Sequence, residues 1–238
     1  MKKLLLLLAF IMPFIFASCG DDKDEPDNPN NKKKHEYVDL GLPSGTLWAT
    51  MNIGATKPED YGDYFAWGET APKDYYDWST YKWYSYYDAD GNWHHNFITK
   101  YCTNSSCGYE GFTDGKTELD PSDDAATANW GANWRMPTTE QQQELVENCT
   151  WTWTTLNGVY GQQGTGPNGN TIFLPAAGER GLESLYYVGS DGFYWSRTLS
   201  PADSYDAYGL IFDSGGVSWR YYLRSRLDGR TVRAVRVP

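Results

Sequence analysis

Residues 194–238 constrain the fold of this chain most. In order they read Tyr194-Trp195-Ser196-Arg197, Ala207-Tyr208-Gly209-Leu210-Ile211-Phe212, Val217-Ser218-Trp219-Arg220-Tyr221-Tyr222-Leu223-Arg224 and Thr231-Val232-Arg233-Ala234-Val235-Arg236-Val237. Short aromatic and β-branched runs broken by Ser-Pro, Asp-Ser-Gly-Gly and Asp-Gly have the pattern of antiparallel strands joined by tight turns. Side chains alternate across a strand. Val217, Trp219, Tyr221 and Leu223 therefore share one face, and Ser218, Arg220, Tyr222, Arg224 and Arg226 share the other. The first set suits a core. The second suits water or a partner, and Tyr205, Asp206 and Tyr208 join it as candidate ligand contacts. After Glu183 there is no Lys, Glu, Gln or Met, which agrees with β-structure, where helix formers are depleted.

The other end of the chain points to export. Met1-Lys2-Lys3 precedes an apolar run from Leu4 to Phe16 and then Ala17-Ser18-Cys19-Gly20. A basic start, a short apolar stretch and small residues predict a secretory signal over 1–18, too short to favour a membrane-spanning helix. Phe-Ala-Ser-Cys resembles the lipobox of bacterial lipoproteins, with Phe16 where Leu is usual. That implies cleavage before Cys19, a lipid thioether on its sulfur and acylation of its new amino group, which together give stable anchoring. Residues 19–36 are charged, rich in Pro and Asn and almost free of apolar side chains, so they predict a disordered tether. The acidic cluster Asp21-Asp22-Lys23-Asp24-Glu25 resembles the export tag of surface lipoproteins in gut anaerobes and implies the outward face of the outer membrane.

Residues 37–238 have the length of one domain. A net charge of −11 argues against general nucleic-acid affinity. Lys stops at Lys116 and Arg begins at Arg135, so any Arg-rich face is a local feature of an acidic protein. Beyond Cys19 the cysteines are Cys102, Cys107 and Cys149. Their spacing permits a small Cys102–Cys107 loop or a longer bridge to Cys149, and no C-x-x-C or histidine spacing points to zinc. No other metal or cofactor is expected. Asp88-Ala89-Asp90-Gly91-Asn92 opens like a calcium loop, but Thr99 stands where an acid is needed, so an ordinary Asp-Gly turn is expected.

Along the chain, Tyr37–Leu40 and Thr46–Ile53 read as strands around a Gly- and Pro-rich turn. Residues 61–97 are dense in Tyr and Trp without either periodicity, predicting irregular loops packed by their own rings; such rings also stack on sugars. Residues 120–128 read as a short helix with Asp120 as N-cap. A second helix follows Thr138, with Gln141 closing a capping box and Leu145, Val146 and Cys149 as its buried stripe.

Several motifs occur together in order. They are Tyr37-Val38-Asp39-Leu40-Gly41-Leu42-Pro43-Ser44-Gly45-Thr46-Leu47-Trp48-Ala49, Tyr64-Phe65-Ala66-Trp67-Gly68-Glu69-Thr70, Trp134-Arg135-Met136-Pro137-Thr138, Phe173-Leu174-Pro175-Ala176-Ala177-Gly178, Tyr194-Trp195-Ser196 and Gly229-Arg230-Thr231-Val232-Arg233-Ala234-Val235-Arg236. In this set the chain resembles the Fibrobacter succinogenes major paralogous domain family of surface lipoproteins, Ala234 standing where Pro is common. The resemblance implies an α+β, C-type-lectin-like fold with a small antiparallel or mixed sheet, two short helices and a loop-rich ligand face. It also implies a Cys102–Cys149 disulfide with Cys107 left over. It implies no chemical activity. The acid-Pro-Asn motifs of calcium-dependent sugar-binding lectins do not occur, and the redox cysteine pair of the similarly folded formylglycine-generating enzymes has no counterpart after Cys149.

The expected function is that of a surface lipoprotein, not an enzyme, that binds an extracellular protein or glycan through its C-terminal hairpins. Those hairpins resemble variable regions diversified by retroelements, in which NNC codons exclude Lys, Glu, Gln, Met and Trp. The alternative expectation is a structural or adhesin-type surface component with no dedicated small ligand.

Overall fold

The computed structural model describes residues 35–87, 90–91, 93–218 and 224–236, the side chains of 93–96 and 224 excepted. The signal, Cys19 and residues 20–34 of the tether lie outside this set, whereas its last two residues are packed on the domain rather than disordered: His35 stacks on Trp130 at 3.9 Å, and the Glu36 carbonyl accepts from the Thr50 amide. The described residues form small antiparallel sheets and two α-helices, as expected for an α+β domain.

The first sheet ties the two ends of the domain together. Strands β1 (Tyr37–Asp39) and β2 (Leu47–Ala49) flank the turn in which the Gly45 amide donates to the Leu42 carbonyl. The β2–β15 pairing places Trp48 opposite Val235 of the C-terminal strand, β15 (Val235–Arg236), which also pairs with β5 (Trp134–Arg135). β2 is shorter than predicted because the chain turns after Ala49, although Ile53 still donates to the Val232 carbonyl.

A ribbon of β3 (Tyr84–Tyr87) and β4 (Trp93–Ile98) lies in the stretch expected to be irregular. Its rings hide the alternation in sequence yet favour extended backbone. Helix α1 (Ala125–Trp130) starts later than predicted, and its N-cap is Asp124 rather than Asp120. Asp120 instead heads a 3-10 turn, while the buried Asp124 carboxylate accepts from the Ala126, Thr127 and Met136 amides. Helix α2 (Thr139–Asn148) has the predicted capping box of Thr138 and Gln141.

Strands β6 (Thr150–Leu156), β7 (Val159–Thr165) and β8 (Thr171–Pro175) form a meander. A ribbon of β9 (Glu179–Gly181) and β10 (Ser184–Tyr186) follows. In the last sheet β12 (Asp206–Asp213) is central, with β11 (Gly192–Leu199) on one side. β13 (Gly216–Ser218) pairs with the C-terminal half of β12 and β14 (Arg224–Ser225) with its N-terminal half. Ser218 stands opposite Ile211 and Arg224 opposite Ala207, so the register slips by an even number between β13 and β14. An even slip preserves the sidedness of the strand.

This sheet is covered on both faces. Leu210, Phe212 and Tyr194 pack in one cluster with Leu145 of α2 and Trp48. Ala207, Leu199 and Trp195 pack in another with Trp67 and Tyr101. Such double burial removes the solvent face that alternation in a strand normally advertises.

Three buried arginines, Arg226, Arg230 and Arg233, pin the C-terminal segment to distant strands and loops. The Arg233 guanidinium donates to Asn52 Oδ1 and to the carbonyls of Ala49, Thr50 and Phe173. Burial pushes its pKa down to about 10. Arg230 forks onto Glu179 at 2.7 and 3.1 Å and lies over the Trp195 ring.

Candidate ligand-binding surface

The predicted ligand face does not hold together as one surface. Arg226 is 0 % exposed. Its guanidinium donates to Tyr81 Oη and to the carbonyls of Tyr101, Ser204 and Lys100, and it stacks against Trp67, Tyr81 and Tyr101. Arg226 therefore cannot meet a ligand, which corrects the expectation. The cause is the pairing: Arg226 donates its amide to Tyr205, two residues before the buried Ala207. Residues 205 and 207 share one side, so Arg226, opposite Tyr205, lies on the side that Ala207 occupies, and that side is core at this point.

Arg220 and Tyr222 lie outside the described residues, and of Arg224 only the backbone pairing with Ala207 is described. Asp206, Tyr208 and Ser218 are half-buried. The Tyr208 carbonyl accepts from Ser196 Oγ, and Ser218 faces Ile211 across the sheet.

Tyr205 belongs to a different constellation. Its ring meets Trp78 edge-on at 5.5 Å, and its hydroxyl donates to the Cys107 carbonyl at 3.3 Å. Desolvation raises its pKa, so it remains a neutral donor at physiological pH. Trp78 also lies 4.8 Å from Tyr84, which is 4.9 Å from Tyr86. Burial raises the Tyr86 pKa. Tyr75 is itself exposed, and the next residue, Tyr76, exchanges both backbone hydrogen bonds with Leu182.

That last contact leads onto the β9–β10 ribbon, which sequence alternation does not single out. Leu182, Leu185, Tyr186, Tyr187 and Val188 are 47, 39, 45, 57 and 41 % exposed. A monomer rarely leaves so many neighbouring large apolar side chains open to water without a use for them. The sequence signal was present: Leu185-Tyr186-Tyr187-Val188 is an uninterrupted apolar run with no alternation to bury it. Leu182 and Tyr187 also hold φ of 52° and 60°. These values are unfavourable for large L-residues and are held here by the bonds around them.

The ribbon is firmly anchored. Arg180 exchanges backbone hydrogen bonds with Gly229, and Gly189 donates to the Ala176 carbonyl. Gly178, at φ +65°, lies so close to the Tyr186 carbonyl that a Cβ there would collide with it. The result is two groups of side chains: linked rings of Tyr205, Trp78, Tyr84 and Tyr86, and the exposed Leu182, Leu185, Tyr186, Tyr187 and Val188 on the anchored ribbon.

The thiols also depart from expectation. Cys102, Cys107 and Cys149 are free. The Cys102–Cys149 bridge that the resemblance implies is not present in this structure, and the two residues pack in different surroundings. Cys149 ends α2 beside Leu145 and Trp151, while Cys102 lies in the loop after Tyr101, its thiol donating to the Asn104 carbonyl.

Among the described residues no group of three or more His, Cys, Asp or Glu side chains could hold a metal ion, and no helix is long and apolar enough to cross a membrane. The calcium-like stretch 88–92 lies partly outside those residues. No protein-family model, curated protein or solved structure matches the chain.

Proposed function

We propose that this chain is a surface lipoprotein, anchored in the outer membrane through Cys19, whose domain captures an extracellular protein or glycan. The observation that carries this reading is the anchored ribbon that leaves Leu182, Leu185, Tyr186, Tyr187 and Val188 exposed, in a domain that also holds the linked rings of Tyr205, Trp78, Tyr84 and Tyr86. Tyr and Trp bury large area while losing few rotamers, which suits them to tight contacts. The C-type-lectin-like fold and membership of the Fibrobacter succinogenes major paralogous domain family are part of the proposal. Its support is the ordered set of motifs together with two helices and joined terminal strands. The candidate contacts are Tyr205 with Trp78, Tyr84, Tyr86, Tyr75, Leu185, Tyr186 and Tyr187. Asp206, Tyr208, Ser218, Arg220, Tyr222 and Arg224 remain the positions at which diversification would alter the neighbouring edge.

The test is capture on arrays of glycans and of proteins secreted by neighbouring bacteria. Replacing Tyr75, Tyr186 and Tyr187 together by Ser should leave melting unchanged and weaken capture at least tenfold, a loss of about 1.4 kcal/mol. Unchanged capture would remove the ribbon from the site, and spontaneous assembly of the purified protein into polymers would favour a structural component. Cys19→Ala should move the protein from the membrane to the soluble fraction; continued membrane association would refute the lipid anchor.

A further inference from the structure

We propose that Cys102 and Cys107 form a disulfide that closes the 102–107 loop beneath Tyr205. The loop is folded for it. The Asn104 carbonyl accepts both the Cys102 thiol at 3.1 Å and the Cys107 amide at 3.0 Å. The Cys102 sulfur and the Cys107 nitrogen thus stand within two hydrogen-bond lengths of each other. The turn between them is held by Asn104 Oδ1, which accepts from the Ser106 amide and hydroxyl. The approaches to the loop are fixed as well. The Cys102 amide donates to Asp114, the Thr103 amide donates to Ser204, and the Cys107 carbonyl accepts from the Ile98 amide and the Tyr205 hydroxyl. Cys107 interacts electrostatically with Cys102, whereas the only perturbation on Cys149 is burial.

The two sulfurs differ in access, which orders the chemistry. Cys107 is half-buried and Cys102 fully buried. With a disulfide donor, either a periplasmic thiol oxidase or a small disulfide, the Cys107 thiolate attacks one donor sulfur and releases the other as a thiol. Cys102 then attacks the Cys107 sulfur and releases the second donor thiol. One donor disulfide is reduced to two thiols, and two protein thiols become one disulfide. Burial and the nearby Asp203 carboxylate raise the Cys107 pKa while the Ser106 and Ser204 hydrogen bonds oppose them, so air alone should act slowly and a disulfide donor should be needed. The bridge would lock the carbonyl that receives the Tyr205 hydroxyl, and with it one end of the linked rings. Closure in the cell rests on the exported location proposed above; the pairing of these two sulfurs does not.

The test is thiol mapping of the full chain, extracted in detergent, with and without oxidised glutathione. Free thiols are alkylated under denaturing conditions before trypsin digestion. Cleavage after Lys100 and Lys116 leaves both cysteines in one peptide, 101–116, and Cys149 in another, 136–180. The expected result after glutathione is a 101–116 peptide with no alkyl group and a 136–180 peptide with one. Cys149→Ser should give the same 101–116 peptide, and Cys107→Ser should leave Cys102 alkylated. A 101–116 peptide joined to 136–180, or one still doubly alkylated after glutathione, would overturn the pairing. A peptide closed by glutathione but open in protein taken directly from cells would support the pairing and count against the exported location.

Discussion

Arg226→Ala separates an anchoring arginine from a ligand contact. The wild-type guanidinium makes hydrogen bonds of 2.8–3.0 Å to Tyr81 Oη and to the carbonyls of Tyr101, Ser204 and Lys100. Truncation removes the donor from each of these acceptors and opens a void against Trp67, Tyr81 and Tyr101. A hydrogen bond to a charged group contributes about 1.5–3 kcal/mol, and a buried acceptor left unpaired costs about 1–3 kcal/mol. Against this stands relief from burying a cation that has no carboxylate among these partners. The net loss should be about 4 kcal/mol, and for a domain of this size that lowers Tm by roughly 8–16 °C. Arg226→Lys should recover little, because a point charge cannot span acceptors that a planar fork reaches together. Thermal melts followed by near-ultraviolet circular dichroism report the packing of these rings. A melt for Arg226→Ala within about 2 °C of wild type, coupled to lost ligand capture, would refute the burial argument and return Arg226 to the ligand face.

Two further perturbations test the loops around the site. Lys100 and Lys116 hold the Asp120 carboxyl at about 2, and the hydrogen bonds of Lys100, Tyr101 and Lys82 hold Asp123 below its ordinary value against the opposing effect of burial. Both folded-state values lie below the unfolded ones, so their stabilisation is complete above about pH 5 and is lost as pH falls toward 2. The urea midpoint should drop across that window. In an Asp120→Asn, Asp123→Asn variant it should start lower at pH 5 and fall less; an equally steep fall would place the acid-sensitive groups elsewhere. Asp124, raised by burial, works in the opposite direction and softens the wild-type slope. Gly178→Ala should cost about 2 kcal/mol or more, from the left-handed backbone and the collision with the Tyr186 carbonyl. Its mark should be faster proteolysis within 182–190 and weakened capture, and a ribbon that stays resistant would show that this close approach does not hold it.

What was legible in the sequence follows from how local each signal is. The α2 cap could be read because Thr138 and Gln141 satisfy each other's backbone within one turn. Strands β11 and β12 could be read because their runs and turns are self-contained, whereas Trp219, Tyr221 and Leu223, expected on the core face of the next strand, lie outside the described residues. The α1 cap was misplaced because Asp120 and Asp124 both precede the helix, and only the Met136 amide, delivered from a later strand, decides for Asp124. The side of the sheet that meets solvent was not legible at all. Alternation assigns residues to two faces but does not say what covers each face, and here α2 covers one while the Trp67 and Tyr101 loops cover the other.

The same consideration explains why arginine was misread. In a chain with only two short helices among its described residues, many loop carbonyls are buried without a regular ladder to satisfy them. A guanidinium offers five donors in a fixed plane and stacks on rings, so one side chain can satisfy several such carbonyls at once. Arg226 and Arg233 do this for carbonyls up to 184 residues away in sequence. An Arg-rich terminal strand in an aromatic, helix-poor domain is therefore ambiguous between an anchor and a ligand contact. The deciding variable is whether the strand's second face is covered. Where it is covered, as at Ala207, the arginine opposite belongs to the interior, as Arg226 does, and a search for ligand contacts turns to the tyrosines that the interior leaves exposed.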